Sequence, residues 1–270
     1  MDYFWHVPNL FYKVLSKNKI KLIRSLELKK YRLSSGLFIA EGKKLVFDLL
    51  STEIVVSEIF CTKLIAEELT FNNQNFEISI VDKEDLSRIS FLKTTPEIVA
   101  VFKIPQSSLN WSEISNDLTL VLDGVQDPGN LGTIVRLADW FGIQNIVCSE
   151  DCADLFNPKV VQSTMGAFAR VKVHYLSLPE FMNRAKQSEI PIYGTFMEGE
   201  NLYQCDLTPN GLVVMGNEGN GISDQMSACV SRRISIPSYP FGVITSESLN
   251  VAIATSIICS EFRRRSICKG

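Results

Sequence analysis

"DGVQDPGNLGTIVRLADWFGI" (Asp123–Ile143) decides how the second half of the chain is read. It follows directly on "LTLVL" (Leu118–Leu122), a near-continuous apolar run of the kind found in a parallel strand covered on both faces. Gly129–Trp140 then fits a helix, so the stretch is a strand, a tight loop and a crossover helix. Its polar residues need a reason. Ile134, Leu137 and Ala138 form one apolar face, and Arg136 sits off it. Arg136 reads either as a surface residue snorkelling to water or, paired with Asn130 at the helix mouth, as a ligand for an anion.

The pattern repeats downstream. "NIVCS", "RVKVHY", "IPIYGT", "GLVVMG" and "RRISIP" read as strands. "PKVVQSTMGAF" with Pro158 at its start, "LPEFMNRAKQS", "SDQMSACV" and a long "SESLNVAIATSIICSEFRRR" read as helices. Strands alternating with helices predict a parallel sheet. Upstream, a basic helix over residues 13–30 opens an α/β unit of about 100 residues, ending in the strand "EIVAVFKIP". "PQSSLNWSEISND" is polar and suits a linker, which gives domains at residues 1–107 and 108–270.

Composition narrows the function. The net charge of −3 hides an asymmetry: residues 1–45 hold ten Lys or Arg against three Asp or Glu. That +7 segment is either a solvated helical surface or a face that attracts a polyanion. The closing run "EFRRRSICKG" suits a helix end, where cations meet the dipole. No apolar run reaches membrane-spanning length, and the N-terminus lacks the marks of a cleaved signal, so a soluble cytoplasmic protein is expected. Seven scattered cysteines with no CxxC pair, and two histidines, argue against a disulfide framework and a structural metal. "GNLGTI" is not a dinucleotide fingerprint, and there is no phosphate loop or nucleophile elbow.

Three loops at the ends of apolar strands remain: "DGVQDPGN", "MGNEGNGIS" and "IPSYPFGVITSESLN". In parallel sheets such strand ends hold the ligand. The second places Gly216, Gly219 and Gly221 around Glu218, either as ordinary turns or as main chain open to a flat ligand. In the third, Ser246 and Ser248 suit N-capping, while Asn250 is expected inside the first turns of the last helix, where asparagine is a poor filler.

Taken together, the three loops resemble the SpoU (TrmH-like) family of RNA 2'-O-methyltransferases in the SPOUT superfamily. The resemblance rests on Asn130 and Arg136 in "NLGTIVRLADWFG", on Glu218 in "MGNEGNGIS", on Ser248 and Asn250 in "SLNVAIA", and on "NPKVVQSTMGAFARVKV", and it covers nearly all of residues 117–264. It implies an α/β catalytic domain whose parallel sheet carries a deep trefoil knot, an active site at a homodimer interface, and S-adenosylmethionine as methyl donor without a metal. The N-terminal unit is similar to the family's substrate-binding domain, a smaller α/β fold related to a ribosomal RNA-binding protein, which turns the +7 segment toward RNA.

The implied reaction is methylation of a ribose 2'-hydroxyl in structured RNA, with ribosomal RNA favoured. The alternatives are a tRNA 2'-O-methyltransferase, a non-catalytic RNA-binding paralogue, and a nucleotide-binding protein unrelated to RNA. Matching residue by residue implies Arg136, Asn130, Glu218, Ser248 and Asn250 as catalytic, and Thr195, Gly199, Gly216, Ile236 and Leu249 as cofactor contacts. Two departures stand out. Ten residues, "SYPFGVITSE", separate Pro237 from Ser248, a longer loop than in many relatives, and Asn217 stands where relatives often carry a small residue.

Overall fold

The structure is a computed structural model and describes residues 11–12, 14–70, 77–240, 243, 246 and 248–267. Along the chain come β1 (Phe11–Tyr12), α1 (Lys17–Ser25), α2 (Lys29–Ser35), β2 (Leu37–Glu41), α3 (Lys43–Leu50), β3 (Val56–Cys61), α4 (Lys63–Thr70), β4 (Ile78–Ile80), α5 (Lys83–Ile89) and β5 (Ile98–Lys103). There follow α6 (Trp111–Asn116), β6 (Leu118–Leu122), α7 (Pro128–Trp140), β7 (Asn145–Cys148), α8 (Pro158–Thr164), β8 (Lys172–Tyr175), α9 (Leu178–Gln187), β9 (Ile192–Asn201), β10 (Gly211–Met215), α10 (Asp224–Ser227), β11 (Arg232–Ser235) and α11 (Val251–Ile267). These elements form two compact units, Met1–Gln106 with Phe156–Ala169 and Ser107–Leu155 with Arg170–Gly270.

The first unit is a mixed sheet in the order β1-β4-β3-β5-β2, with β5 antiparallel to both β2 and β3. The basic segment is two helices rather than the one expected, because Leu28 takes an extended conformation between α1 and α2. Arg32 explains how that break is tolerated. It is 2% exposed, and its guanidinium donates to Leu26 O at 2.6 Å and Glu27 O at 2.7 Å, carbonyls left over at the end of α1. One of the cations counted in the +7 segment is thus part of the fold. Phe156–Ala169, expected within the second domain, packs here instead. Phe38 of β2 stacks on Phe102 and also meets Phe156 and Phe168, with centroids 5.0 and 5.6 Å away. Burying such rings is worth roughly 2–3 kcal/mol each, enough to hold the segment in this unit.

The second unit is a six-stranded sheet, β11-β9-β10-β6-β7-β8, parallel throughout. β6 and β10 are buried at every position, as their unbroken apolar runs require. On one face Ile114, Phe181, Met182 and Met226 of α6, α9 and α10 pack into the core with Val121, Val147 and Val214. α7 and α11 pack together and bury Leu131, Ile134, Val135, Ala138, Ala252, Cys259 and Phe262.

Two expectations change. Half of the polar linker is the helix α6, anchored by the fully buried Ile114 and capped by the Asn110 side chain on Ser112 N at 3.0 Å. The last helix starts at Val251, so Asn250 lies before it rather than within its first turns.

Sheet order positions the site. The chain enters at β6, runs outward through β7 and β8, then crosses to β9 and back inward to β10. The sheet's switch point therefore lies between β6 and β10, where diverging connections leave a crevice at the carboxyl ends of the strands.

Candidate active site

The loop after β6 is built by capping. Asp127 is the N-cap of α7, its Oδ1 accepting from Asn130 N at 2.8 Å, and Pro128 occupies the first turn, where its missing N–H costs nothing. Gly124, at φ 74°, donates its N–H to Ser149 Oγ at 2.9 Å. Asp123 Oδ2 accepts from Ser223 N at 2.7 Å, joining this loop to the start of α10.

The loop after β10 requires glycine at its first position. A Cβ on Gly216 would lie 2.2 Å from the carbonyl carbon of Gly221, closer than any side chain allows. Asn217 and Gly221 exchange two main-chain hydrogen bonds, each 2.9 Å long, which close a tight loop with Glu218 on it.

These loops and the start of α11 converge. Asn130 Nδ2 donates to Glu218 Oε1 at 2.8 Å, and Asn250 Nδ2 donates to Asn130 Oδ1 at 2.9 Å. Asn250 Oδ1 accepts from Ala252 N at 3.0 Å and Ile253 N at 3.2 Å, so Asn250 caps α11, the task expected of Ser246 and Ser248. Every donor direction in this chain is forced. A helix start offers only N–H groups, so the Asn250 oxygen must face it and its amide nitrogen must face outward. Asn130 then presents its oxygen to Asn250 and its nitrogen to Glu218. The relay ends on a carboxylate, which only accepts when ionised.

Arg136 follows Asn130 on the same helix, about 9 Å further along its axis. It is exposed and makes no hydrogen bond or ion pair with any described residue. Ser248 is exposed, without a hydrogen bond to a described residue. The structure thus brings Asn130, Glu218 and Asn250 into direct contact and leaves Arg136 and Ser248 open.

Of the five residues matched to cofactor contacts, Thr195 and Gly199 lie within β9, Gly216 and Ile236 just past β10 and β11, and Leu249 just before α11. In β9 the pairing with β11 jumps from Arg233↔Gly194 to Ile234↔Glu200, so the strand bulges across residues 195–199. Thr195 Oγ1 donates to Val214 O at 3.0 Å, tying the start of this bulge to β10. Gly199 closes the bulge where a Cβ would lie 2.8 Å from Arg233 O. Ile236, just past β11, is half-buried, and Leu249 is 48% exposed. Half of the long loop falls outside the described residues; Ser238, Tyr239, Pro240, Val243 and Ser246, which are described, are exposed.

Sequence reasoning missed Asp127 and Asn217, which hold the loops in place. The Asp-Pro-Gly start of α7 carries an N-cap signal for the first; for Asn217 the hints are its departure from a small residue and its place in a glycine-rich turn. The convergence of Glu218 and Asn130, 88 positions apart, becomes visible only once β10 is inserted beside β6.

A wholly parallel α/β sheet with polar residues gathered at its switch point defines the class of ligand-binding α/β proteins that work from strand-end loops. Comparison sharpens this. Residues 117–260 match the SpoU rRNA Methylase family, and residues 17–100 match the MRM3-like substrate binding domain. The chain belongs to the SpoU rRNA methylase family. It is 29% identical over 249 residues to the 23S rRNA (guanosine(2553)-2'-O)-methyltransferase RlmP of Bacillus subtilis, covering 91% of this chain and 96% of that one. A solved RNA methyltransferase of the TrmH family from Porphyromonas gingivalis is 40% identical with a TM-score of 0.84, covering 94% of this chain and all of that one. The AdoMet-bound rRNA methyltransferase from Sinorhizobium meliloti is 26% identical with a TM-score of 0.80, covering 96% and 98%.

Proposed function

We propose that this chain transfers the methyl group of S-adenosylmethionine to a ribose 2'-hydroxyl of ribosomal RNA. The observation that carries the reading is the closed relay of Asn250, Asn130 and Glu218 at the switch point, with an exposed arginine further along the helix of Asn130 that has no partner among the described residues. The names of its relatives support ribosomal RNA over the alternatives.

The residues present fit the cofactor. Gly199 and Gly216 let main chain pack tightly within β9 and after β10, Ile236 and Leu249 offer apolar contact for an adenine, and Thr195 ties the β9 bulge to β10. The bound cofactor supplies a sulfonium methyl, already activated for displacement. The protein's work is to hold the ribose in line and to ease loss of its proton. A guanidinium stays charged at neutral pH and matches phosphate oxygens in bidentate fashion. Arg136 accordingly clamps the phosphate of the target nucleotide and stabilises negative charge building on the 2'-oxygen. Asn130, held by Glu218 and Asn250, orients the target, and Ser248 completes the polar rim.

Other parts of the reading follow from surfaces. Leu249 and Ile253 at the start of α11 are 48% and 54% exposed, and Trp140 at the far end of α7 is 84% exposed, exposed apolar side chains suited to contact with a second copy of the chain. Arg265 of α11 donates to Leu202 O at 3.0 Å and to Cys205 O, which lays the C-terminal helix against the 202–205 loop and supports a threaded, knotted end. Lys17, Lys21 and Lys44 of the first unit are exposed and suited to RNA phosphates. Six described cysteines are free and buried, as suits a reducing cytoplasm.

The test is transfer of labelled methyl to ribosomal and transfer RNA, with cofactor binding followed by calorimetry. Arg136→Lys is expected to lose about 100-fold or more in turnover while still binding the cofactor. Near-normal turnover in that variant, or label in tRNA alone, refutes the reading.

A further inference from the structure

Asn217 sits between the two loops that build the relay and contacts both with one side chain. Its Oδ1 accepts from Gly219 N at 2.9 Å and Asn220 N at 3.0 Å, folding its own loop. Its Nδ2 donates to Gly124 O at 2.7 Å, across to the loop after β6. Gly124 permits this approach, since a Cβ there would already lie 3.6 Å from Asn217 Cβ and 3.3 Å from Asp151 Oδ2. A small residue at position 217 leaves the Gly124 carbonyl without this donor and the two loops without this tether. Glu218 is the next residue, so the tether sets where its carboxylate falls relative to Asn130.

We infer that Asn217 is a positioning residue for methyl transfer, fixing Glu218 over the first loop so that the relay through Asn130 to Asn250 closes. Its side chain bonds to Gly124, Gly219 and Asn220 and to none of the cofactor contacts matched above, and it acts through Glu218. This rests on the role given to Glu218 in the proposed reaction. An amide is suited to the task because it accepts and donates at once, pinning its own turn with one end and the neighbouring loop with the other.

The experiment is a double-mutant cycle on single-turnover methyl transfer to ribosomal RNA, with cofactor affinity and thermal unfolding measured for every variant. Asn217→Ala removes both functions. Asn217→Ser keeps a hydroxyl able to accept from the turn but cannot reach Gly124, so it guards against simple loss of fold. Both are expected to slow transfer about 10-fold with cofactor affinity within about 3-fold, since misplacing a catalytic group acts on the rate rather than on binding. In a Glu218→Ala background, adding Asn217→Ser is expected to cost nothing more. If Glu218→Ala is slow and Asn217→Ser slows it again by the same factor, Asn217 does not act through Glu218 and the inference falls alone. If Glu218→Ala runs at the wild-type rate, the role given to Glu218 falls and takes this inference with it. Wild-type turnover in Asn217→Ser overturns the inference whatever Glu218 does.

Discussion

α7 and the end of α11 belong to one packed pair of helices and use arginine in opposite ways. On α11, Arg263 donates to Phe141 O at 2.6 Å and Gly142 O at 2.9 Å, the carbonyls at the end of α7. Arg264 and Arg265 both grip Glu261, and Arg265 also reaches the carbonyls of Leu202 and Cys205. On α7, Arg136 has no such partner among the described residues. The lesson is that a cation's role follows from what it already holds. In the sequence "RRR" reads as cations at a helix end, and in the structure those arginines are folding staples.

The largest effect that tests this contrast is the loss of turnover in Arg136→Lys, which is expected to leave the unfolding midpoint unchanged. A fall in its Tm would make Arg136 structural after all and erase the difference. The mirror experiment is Arg265→Ala. The Glu261 carboxylate and the Leu202 and Cys205 carbonyls lose a charged donor, each such bond being worth about 1.5–3 kcal/mol, so Tm is expected to drop by about 10 °C or more with methyl transfer nearly intact at low temperature. A circular-dichroism melt beside a transfer assay separates the two variants.

Acid sharpens the comparison further. Hydrogen bonds from Arg264, and then from Arg265, hold the Glu261 carboxyl down at about 2. Its folded pKa lies below the unfolded value, so the stabilisation is complete above the usual carboxylate range near 4.5 and is lost as pH falls toward 2. Glu261→Gln is expected to be less stable than wild type at neutral pH, the two curves converging on acidification; parallel curves of Tm against pH would remove Glu261 from the staple.

The smallest effect extends the contrast to the first unit, where Arg32 is buried on carbonyls while Lys17 and Lys21 are open. Replacing both lysines with alanine is expected to weaken RNA binding a few-fold and to flatten its salt dependence by about 0.7–0.9 for each phosphate no longer neutralised. An unchanged salt slope would move the RNA-binding face elsewhere.

The parallel sheet was legible in advance because "LTLVL" and "GLVVM" are apolar at consecutive positions, and burial on both faces is written directly into such runs. α6 was not, since only Trp111 and Ile114 lend apolar character to an otherwise polar stretch. Asn130 and Asn250 stood out as polar residues next to apolar runs and Glu218 as an acid among glycines, but what each touches depends on chain 88 and 120 positions away. Asn250 shows the limit well. Its cap on α11 and its contact with Asn130 use opposite ends of one amide, and local sequence suggests neither. Arg32 is the converse case, a residue that looks like surface charge until the break between α1 and α2 supplies carbonyls for it.

Phe156–Ala169 carries a consequence for synthesis. The first unit takes its partners for Phe38 from a segment lying beyond α7 and β7 in the chain. A nascent chain emerging from its N-terminus therefore holds an unfinished first unit while about 50 residues of the second are being made, at 5–20 residues per second a wait of a few seconds. Truncation at the interdomain linker would make this state permanent, leaving an aromatic surface on β2 uncovered and the fragment prone to aggregation.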